Sequence, residues 1–150
     1  MEFPYYRVID FPKHQKRERI LPWLRFGIFN PKNTSKIVYP LGLVDSGSDL
    51  TIIDHELGEE LGFNIEKGGK GKIYGVGGGH IEGYIHRIGF NIEDLKNKEK
   101  SIIYKDFVLF AYEKFPKSMP QQTAILGTVG FFRHLEITFK YPDVIIINLK

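Results

Sequence analysis

The apolar residues of this chain come in short runs, and this spacing limits the fold more than any other feature of the sequence. The longest uninterrupted run, Phe107 to Tyr112, has only the length of a strand, and turn-forming residues separate the runs at frequent intervals. This pattern favours many short strands, and none of the runs approaches the roughly 20 residues needed to span a bilayer. With 150 residues and 42% hydrophobic content, we expect one mainly β domain with a sizeable core.

Turn residues and alternation set the expected element boundaries. We expect strands over residues 5–11, 24–29, 37–44, 50–53, 72–76, 81–90, 102–112, 124–126, 135–140 and 144–149, with a loop or arm over 13–19. Pro40 predicts a bend or an edge position. Asp54 is a predicted helix N-cap, Gly62 is placed to end that helix, and a second helical stretch is expected near residues 129–134.

Composition restricts the classes of site and partner. The chain has no cysteine, which excludes disulfides and thiolate metal ligands and is compatible with a cytoplasmic location. Its five histidines show no metal-binding spacing, and the segment from His55 to Glu59 lacks the second histidine of a zinc-binding helix. We therefore expect no metal and no cofactor. The first residues also lack the apolar core of a secretion signal, and we expect no membrane partner.

Positive charge is concentrated near the N-terminus. The net charge of +3 divides into +5 over residues 1–40 and −2 over residues 41–150. Such a segment could contact nucleic acid, but no nucleic-acid-binding motif accompanies it. An ordinary solvated surface is the preferred interpretation, and binding to nucleic acid is kept as an alternative.

Asp45 is the first candidate for chemistry. The apolar run that ends at Val44 leads into the turn Asp45-Ser46-Gly47, and a second apolar run leaves after Asp49. Burying a carboxylate beside apolar strands is costly unless its charge is used or hydrogen-bonded. A lone Asp-Ser-Gly is common in ordinary turns, so the rest of the chain has to supply further evidence.

Two further motifs give this turn a context. A glycine-rich hairpin tip, Val76-Gly77-Gly78-Gly79, lies between the turn and a later motif, Ile125-Leu126-Gly127. A phosphate-binding loop would require a helix directly after the glycines, whereas residues 80–90 have strand character. A hairpin tip without any catalytic role is the other interpretation of these glycines.

In these motifs and in their order, the chain resembles the retropepsin-like aspartic proteases, the single-domain relatives of the pepsin family. The resemblance covers residues 24–150 as the protease domain and leaves residues 1–23 as an N-terminal extension. It implies a mainly β, closed barrel of the acid protease fold with one or two short helices, active as a two-fold dimer. It also implies an aspartic endopeptidase in which two carboxylates share one proton and activate a water.

The resemblance gives each motif residue an expected role. Only one Asp-Ser-Gly is present, so the second carboxylate is expected to be Asp45 of another copy, which makes a homodimer necessary. Ser46 and Gly47 would support the catalytic loop. Substrate or dimer contacts are expected from Ser48, Asp49, Val76, Gly77, Gly78, Gly79, Ile125, Leu126 and Gly127.

The alternative to catalysis is a silent module. The same fold could serve for dimerisation or peptide binding without cleaving its ligand. An extended polypeptide is the expected partner in either case.

Overall fold

The computed structural model describes residues 1–10, 17–75, 78–97, 99–113, 115 and 122–150, and within these ranges the protein is mainly β, as predicted. The strands are β1 (Glu2–Pro4), β2 (Tyr6–Asp10), β3 (Arg17–Leu21), β4 (Trp23–Arg25), β5 (Gly27–Asn30), β6 (Asn33–Val38), β7 (Leu41–Val44), β8 (Ile52–Asp54), β9 (Gly69–Tyr74), β10 (His80–Glu93), β11 (Ser101–Ala111), β12 (Gln122–Leu126), β13 (Leu135–Lys140) and β14 (Val144–Leu149). One α-helix, α1 (His55–Glu60), and one 3-10 helix (Ile65–Lys67) accompany them. No helix in these ranges is long and apolar enough to cross a membrane.

The largest sheet curls halfway around the core and positions the Asp45 turn. Its strands follow the order β4-β7-β12-β8-β11-β10-β5-β6, and β9 pairs with β10 beside this path. Strand β12 lies between β7 and β8, parallel to the first and antiparallel to the second. Because β7 leads into the Asp45 turn and β8 follows it, a strand from late in the chain separates the two arms of the turn.

A long hairpin extends from the same sheet. The first part of β10 pairs with β9, from His80 opposite Tyr74 to Ile85 opposite Gly69. Residues 89–91 of β10 pair with β5, and residues 83–93 pair with β11 on the other side. The two strands predicted on either side of the glycines therefore pair with each other, and the second of them continues into the body of the sheet.

The two ends of the chain meet in a second sheet. Its order is β1-β14-β13, so β14 has a partner on both sides. Phe3, on β1, is buried in the main hydrophobic core. Residues 1–23 also supply the separate hairpin of β2 and β3. The division of the chain after residue 23 stays a prediction, but a chain shortened there would lose β1 and Phe3.

The predicted first helix is confirmed at both ends. The carboxylate of Asp54 accepts a hydrogen bond from the backbone N–H of Glu56, as an N-cap does. Gly62 follows the helix with a φ of 79°, a conformation that glycine adopts without steric cost. The helix lies beside β8 and holds the far end of the Asp45 segment in place.

Four local expectations differ from the structure. Residues 24–29 form two strands interrupted at Phe26, and residues 37–44 form two strands interrupted at Tyr39 and Pro40, which is the bend that Pro40 predicted. Residues 129–134 are turns rather than a helix, because Gly130 has a φ of 96° and interrupts helical geometry. The predicted arm over residues 13–19 includes the start of β3, and its residues 13–16 lie outside the described ranges.

Candidate active site

The Asp45 turn lies at the surface at the end of β7. Its backbone is anchored by β12, since the N–H of Asp45 donates to the carbonyl of Leu126 at 3.0 Å. Asp45 is partly buried, whereas Ser46 and Gly47 are exposed in the single chain. The prediction that apolar flanks bury the turn was therefore wrong for one copy of the chain, because the neighbouring strands end before they can cover it.

A backbone amide orients the Asp45 carboxylate. The N–H of Gly47 donates to Asp45 Oδ1 at 2.9 Å, and the N–H of Ser48 donates to the Asp45 carbonyl at 3.2 Å. A Cβ on Gly47 would lie 3.2 Å from the same carboxylate oxygen, which is a close contact. Glycine at this position therefore gives the carboxylate room beside the amide that fixes it.

The segment after β12 packs directly on the turn. The N–H of Thr128 donates to the carbonyl of Ser48 at 2.8 Å, and the N–H of Val129 donates to the carbonyl of Asp49 at 3.0 Å. Gly127 approaches so closely that a Cβ there would lie 2.6 Å from the carbonyl oxygen of Leu50 and 2.7 Å from that of Ser48. The structure thus brings the motif of Ile125, Leu126 and Gly127 together with the Asp45 turn.

Ser46 and Asp49 point to a surface rather than into the fold. Both are exposed, and in the part of the chain that the structure describes neither makes a side-chain hydrogen bond. Ser48 differs, because its hydroxyl donates to the carbonyl of Leu50 at 2.8 Å and stiffens the turn. Of the two residues expected to make substrate or dimer contacts here, Ser48 is therefore an internal support and Asp49 leaves its side chain at the surface, as does Ser46, which was expected to support the catalytic loop.

The glycine-rich tip is described only in part. Gly75 donates to the carbonyl of Gly79 at 2.8 Å, and Gly78 has a φ of 85°, which fits a tight hairpin turn. Val76 and Gly77, two of the predicted contact residues, lie outside the described residues. Tyr74, at the end of β9, is 73% exposed, so the end of the hairpin is open to solvent.

An apolar cluster joins the base of the hairpin to the Asp45 turn. Its buried members are Ile52, Leu109 and Ala111. Packed against them are Leu50 from the turn and Ile125 from β12, together with the hairpin residues Ile73, Ile81 and Ile85. A cavity of about 270 Å³ lies nearby, lined by His80, Ile81, Glu82, Ala111, Tyr112, Glu113 and Phe115. The region between hairpin and turn therefore has an apolar interior, beside a recess whose lining includes the titratable side chains His80, Glu82 and Glu113.

Sequence reasoning missed Thr51. This residue is fully buried, its N–H donates to Val129, and its hydroxyl oxygen accepts from the N–H of Gly127 at 3.1 Å. It therefore connects the turn to the segment that packs on it. No motif marks a threonine at the start of an apolar run, and only its contact with a distant glycine reveals the role.

The sequence motifs give no role to Asp106, which is not followed by Ser-Gly. It is 5% exposed within β11 and accepts hydrogen bonds from the backbone N–H groups of Phe107 and Gly130. Burial alone would raise the pKa of this carboxyl, but the two amides, His134 and the charge of Arg133 together lower it. Asp106 directly precedes the apolar run from Phe107 to Tyr112, and a carboxylate at the start of such a run needs partners of this kind when it is buried.

The described residues contain no group of three or more His, Asp or Glu side chains placed to hold a metal ion. Compared with known proteins, the chain matches no family model, no curated protein and no solved structure. The interpretation of the site therefore depends on its own residues and geometry.

Proposed function

We propose that the protein is an aspartic endopeptidase of the retropepsin type, with a catalytic dyad formed by Asp45 of two copies of the chain. One observation carries the proposal. The Asp45 turn presents a carboxylate that is oriented by the Gly47 amide and held between β7, β8 and the intervening β12. A rigid support of this kind is what a catalytic carboxylate requires.

The chemistry needs two such carboxylates. Charges of the same sign about 3 Å apart cannot both form, so the pair holds one proton. The ionised member takes a proton from a water molecule as the oxygen of that water attacks the peptide carbonyl. The protonated member donates its proton to the carbonyl oxygen, which gives a tetrahedral diol. The carboxyl that took the water proton then gives it to the leaving nitrogen while the other carboxylate removes a diol proton, so the C–N bond breaks and an amine and a carboxylic acid are released. The two protonation states belong to the pair rather than to one residue.

A second copy is the natural source of the second carboxylate. The other aspartates of the chain are not in an Asp-Ser-Gly turn, and the carboxylate of Asp106 is already hydrogen-bonded to Gly130 and His134. In a two-fold dimer the exposed Ser46 hydroxyl is free to bond to the facing loop. We propose that the chain has the closed barrel of the acid protease fold when it forms this dimer, since two half-barrel sheets would then enclose one site.

An extended polypeptide suits the surface between hairpin and turn. Among the described residues β9 pairs only with β10, so its outer edge retains backbone groups for a peptide strand. The partly buried residues packed on Ile52 and Leu109, which include Ile81 and Ile125, would contact apolar substrate side chains. Closing the hairpin over the peptide would exclude water from the dyad.

Asp45→Asn is the direct test. We expect the wild-type protein to cleave members of a diverse peptide library at acidic to near-neutral pH, and we expect the variant to lose cleavage at least a hundredfold, since an amide cannot act as the base. Asp143→Asn, at an exposed turn position, is the matched control and should keep full activity. The cleavage products are identified by mass spectrometry.

Two results would contradict the proposal. Full activity of Asp45→Asn would exclude Asp45 as the base. Peptide binding without cleavage at any pH would instead favour the alternative of a silent dimerisation or peptide-binding module.

A further inference from the structure

The proposed reaction leaves one buried titratable cluster without a role. Asp106 lies within β11, and its partners come from the segment 127–134 that follows β12. The Oδ1 atom accepts from the N–H of Phe107 at 2.8 Å, and Oδ2 accepts from the N–H of Gly130 at 3.0 Å. His134 Nε2 lies 2.9 Å from Oδ2, and Arg133 Nη1 lies 3.6 Å from Oδ1. An ionised carboxylate only accepts hydrogen bonds, so His134 is the donor.

A row of stacked aromatic rings holds His134 in this position. The ring of Tyr104 lies nearly parallel to that of His134 with centroids 4.5 Å apart, and Phe90 stacks on the other side of Tyr104 at 4.9 Å. The Tyr104 hydroxyl donates to the carbonyl of Gly130 at 3.1 Å. Both backbone polar groups of Gly130 are therefore bound by side chains of β11.

Direct contacts and hydrogen bonds connect Gly130 to the Asp45 turn. A Cβ on Gly130 would lie 2.6 Å from the hydroxyl oxygen of Thr51, so the two residues are in direct contact. The next residue back, Val129, bonds to Asp49 and Thr51, and Thr128 bonds to Ser48. Asp106 thus fixes one end of a four-residue segment whose other amides fix the turn.

We propose that Asp106 is a positioning residue for the Asp45 turn, with His134 as the partner that holds its carboxylate in register with Gly130. The proposal deepens the proposed function, because it assigns the geometry of the catalytic loop to a residue that does not touch substrate. A carboxylate is needed here because both of its oxygens accept backbone amides. An asparagine would present an NH₂ group to one of them and leave it unsatisfied.

Native-state hydrogen exchange on the full chain is the test, and it does not depend on catalysis. In Asp106→Asn we expect the amides of Thr128, Val129 and Thr51 to exchange about tenfold faster or more, which is the scale of one unsatisfied buried group. The amides of Ile145 and Ile147, in the terminal sheet, should change less. Asp94→Asn is the matched control, since Asp94 also accepts two backbone amides but in a distant exposed loop, and it should leave the turn unchanged.

A second variant covers the case in which Asp106→Asn fails to fold. His134→Phe keeps a ring to stack on Tyr104 and removes only the hydrogen bond to Asp106. We expect the same three amides to exchange faster by a smaller factor. If the amides of the terminal sheet exchange faster by the same factor as those of the turn, Asp106 has a general structural role and the proposal is overturned. Unchanged exchange at the turn would also overturn it.

The pH dependence has a defined sign. The pKa of Asp106 is lowered in the folded protein. The stabilisation that its carboxylate gives to the turn is therefore fully present at pH values above the ordinary pKa of an aspartate, and it is lost as the pH falls through the pKa of the folded protein. After correction for intrinsic exchange, we expect turn protection to stay level from pH 7 to about 4 in the wild type and to fall below that. The groups facing Asp106 are His134, Arg133 and Tyr104. In Asp106→Asn this acid-side fall should be absent, and an unchanged fall would contradict the assignment.

Peptide cleavage separates this proposal from the proposed function. If the protein is a protease, Asp106→Asn should lower kcat with little change in KM, because substrate contacts are kept. If the wild type cleaves no peptide, the exchange results still decide whether Asp106 positions the turn.

Discussion

Gly127 shows how the absence of a side chain can define a site. Its backbone lies against two carbonyl groups of the Asp45 turn, and no rotation of a neighbouring side chain can make room there, because the crowding atoms are backbone. Only glycine therefore allows β12 to run past the turn at this distance. The proximity of turn and strand depends on this one position.

Gly127→Ala should be strongly disruptive. Overpacking against backbone costs about 1–3 kcal/mol, so we expect the free energy of unfolding to fall by that amount and peptide cleavage to fall with it. Gly69→Ala is the matched control, because Gly69 has a negative φ and a Cβ there would meet nothing within 4 Å. Denaturant unfolding measures both variants, and equal stability of the two would show that the turn can move away.

At the scale of an element, α1 is shaped by packing more than by helix propensity. Gly58 lies inside this short helix and is buried, with Ile65 and Phe110 against it. Exchanging glycine for alanine in an exposed helix interior usually stabilises by about 1 kcal/mol. Here a Cβ would lie 2.5 Å from the terminal methyl of Ile65 and 2.9 Å from the ring of the fully buried Phe110.

Gly58→Ala therefore tests which effect prevails. The methyl of Ile65 can move aside, but the Phe110 ring has no free space, so we expect a net loss of about 1 kcal/mol in the free energy of unfolding. The pair Glu59→Gly and Glu59→Ala, at the exposed neighbouring position, measures the glycine-to-alanine propensity difference alone. A thermal unfolding midpoint for Gly58→Ala above that of the wild type would mean that the helix shifts to accept the methyl group.

Elements with a strong local signal could be predicted from the sequence. The cap at Asp54, the terminator at Gly62 and the hairpin of β13 and β14 follow from local chemistry and alternation, and each is confirmed. The helix expected at residues 129–134 was wrong, because close packing of Gly130 on Thr51 overrides local preference. Local patterns carry no information about such distant contacts.

In the candidate site, too, local features could be predicted from the sequence and long-range contacts could not. The Gly47 amide on the Asp45 carboxylate could be predicted, since an Asx turn is set by neighbouring residues. The exposure of the turn, the role of Thr51 and the occupation of Asp106 by His134 could not. These depend on which strands become neighbours, and the position of β12 between β7 and β8 is a property of the whole sheet.

At the scale of the whole molecule, a dyad shared between copies makes activity depend on association. Mixing the wild type with an equal amount of Asp45→Asn should leave only about one quarter of the dimers with two functional chains. We expect activity per total protein to fall to about that fraction after exchange of subunits. A fall to one half would show that each chain acts alone.

Dilution gives an independent measurement of the same dependence. Specific activity should decline as the protein concentration falls below the dissociation constant of the dimer, and the midpoint of thermal unfolding should fall with it. Sedimentation velocity over the same concentrations reports the mass. Activity and mass should change together, and constant specific activity in a monomeric sample would contradict the shared dyad.

The terminal sheet sets the order in which this protein can be completed in the cell. Its first strand, β1, leaves the ribosome early, but the central strand, β14, is made about 140 residues later. At typical rates of synthesis this is a wait of roughly 7–30 s, during which Phe3 has no sheet to join. Arrival of β14 gives β1 and β13 their shared partner, so the terminal sheet of a nascent chain remains open to chaperones and proteases until β14 has emerged.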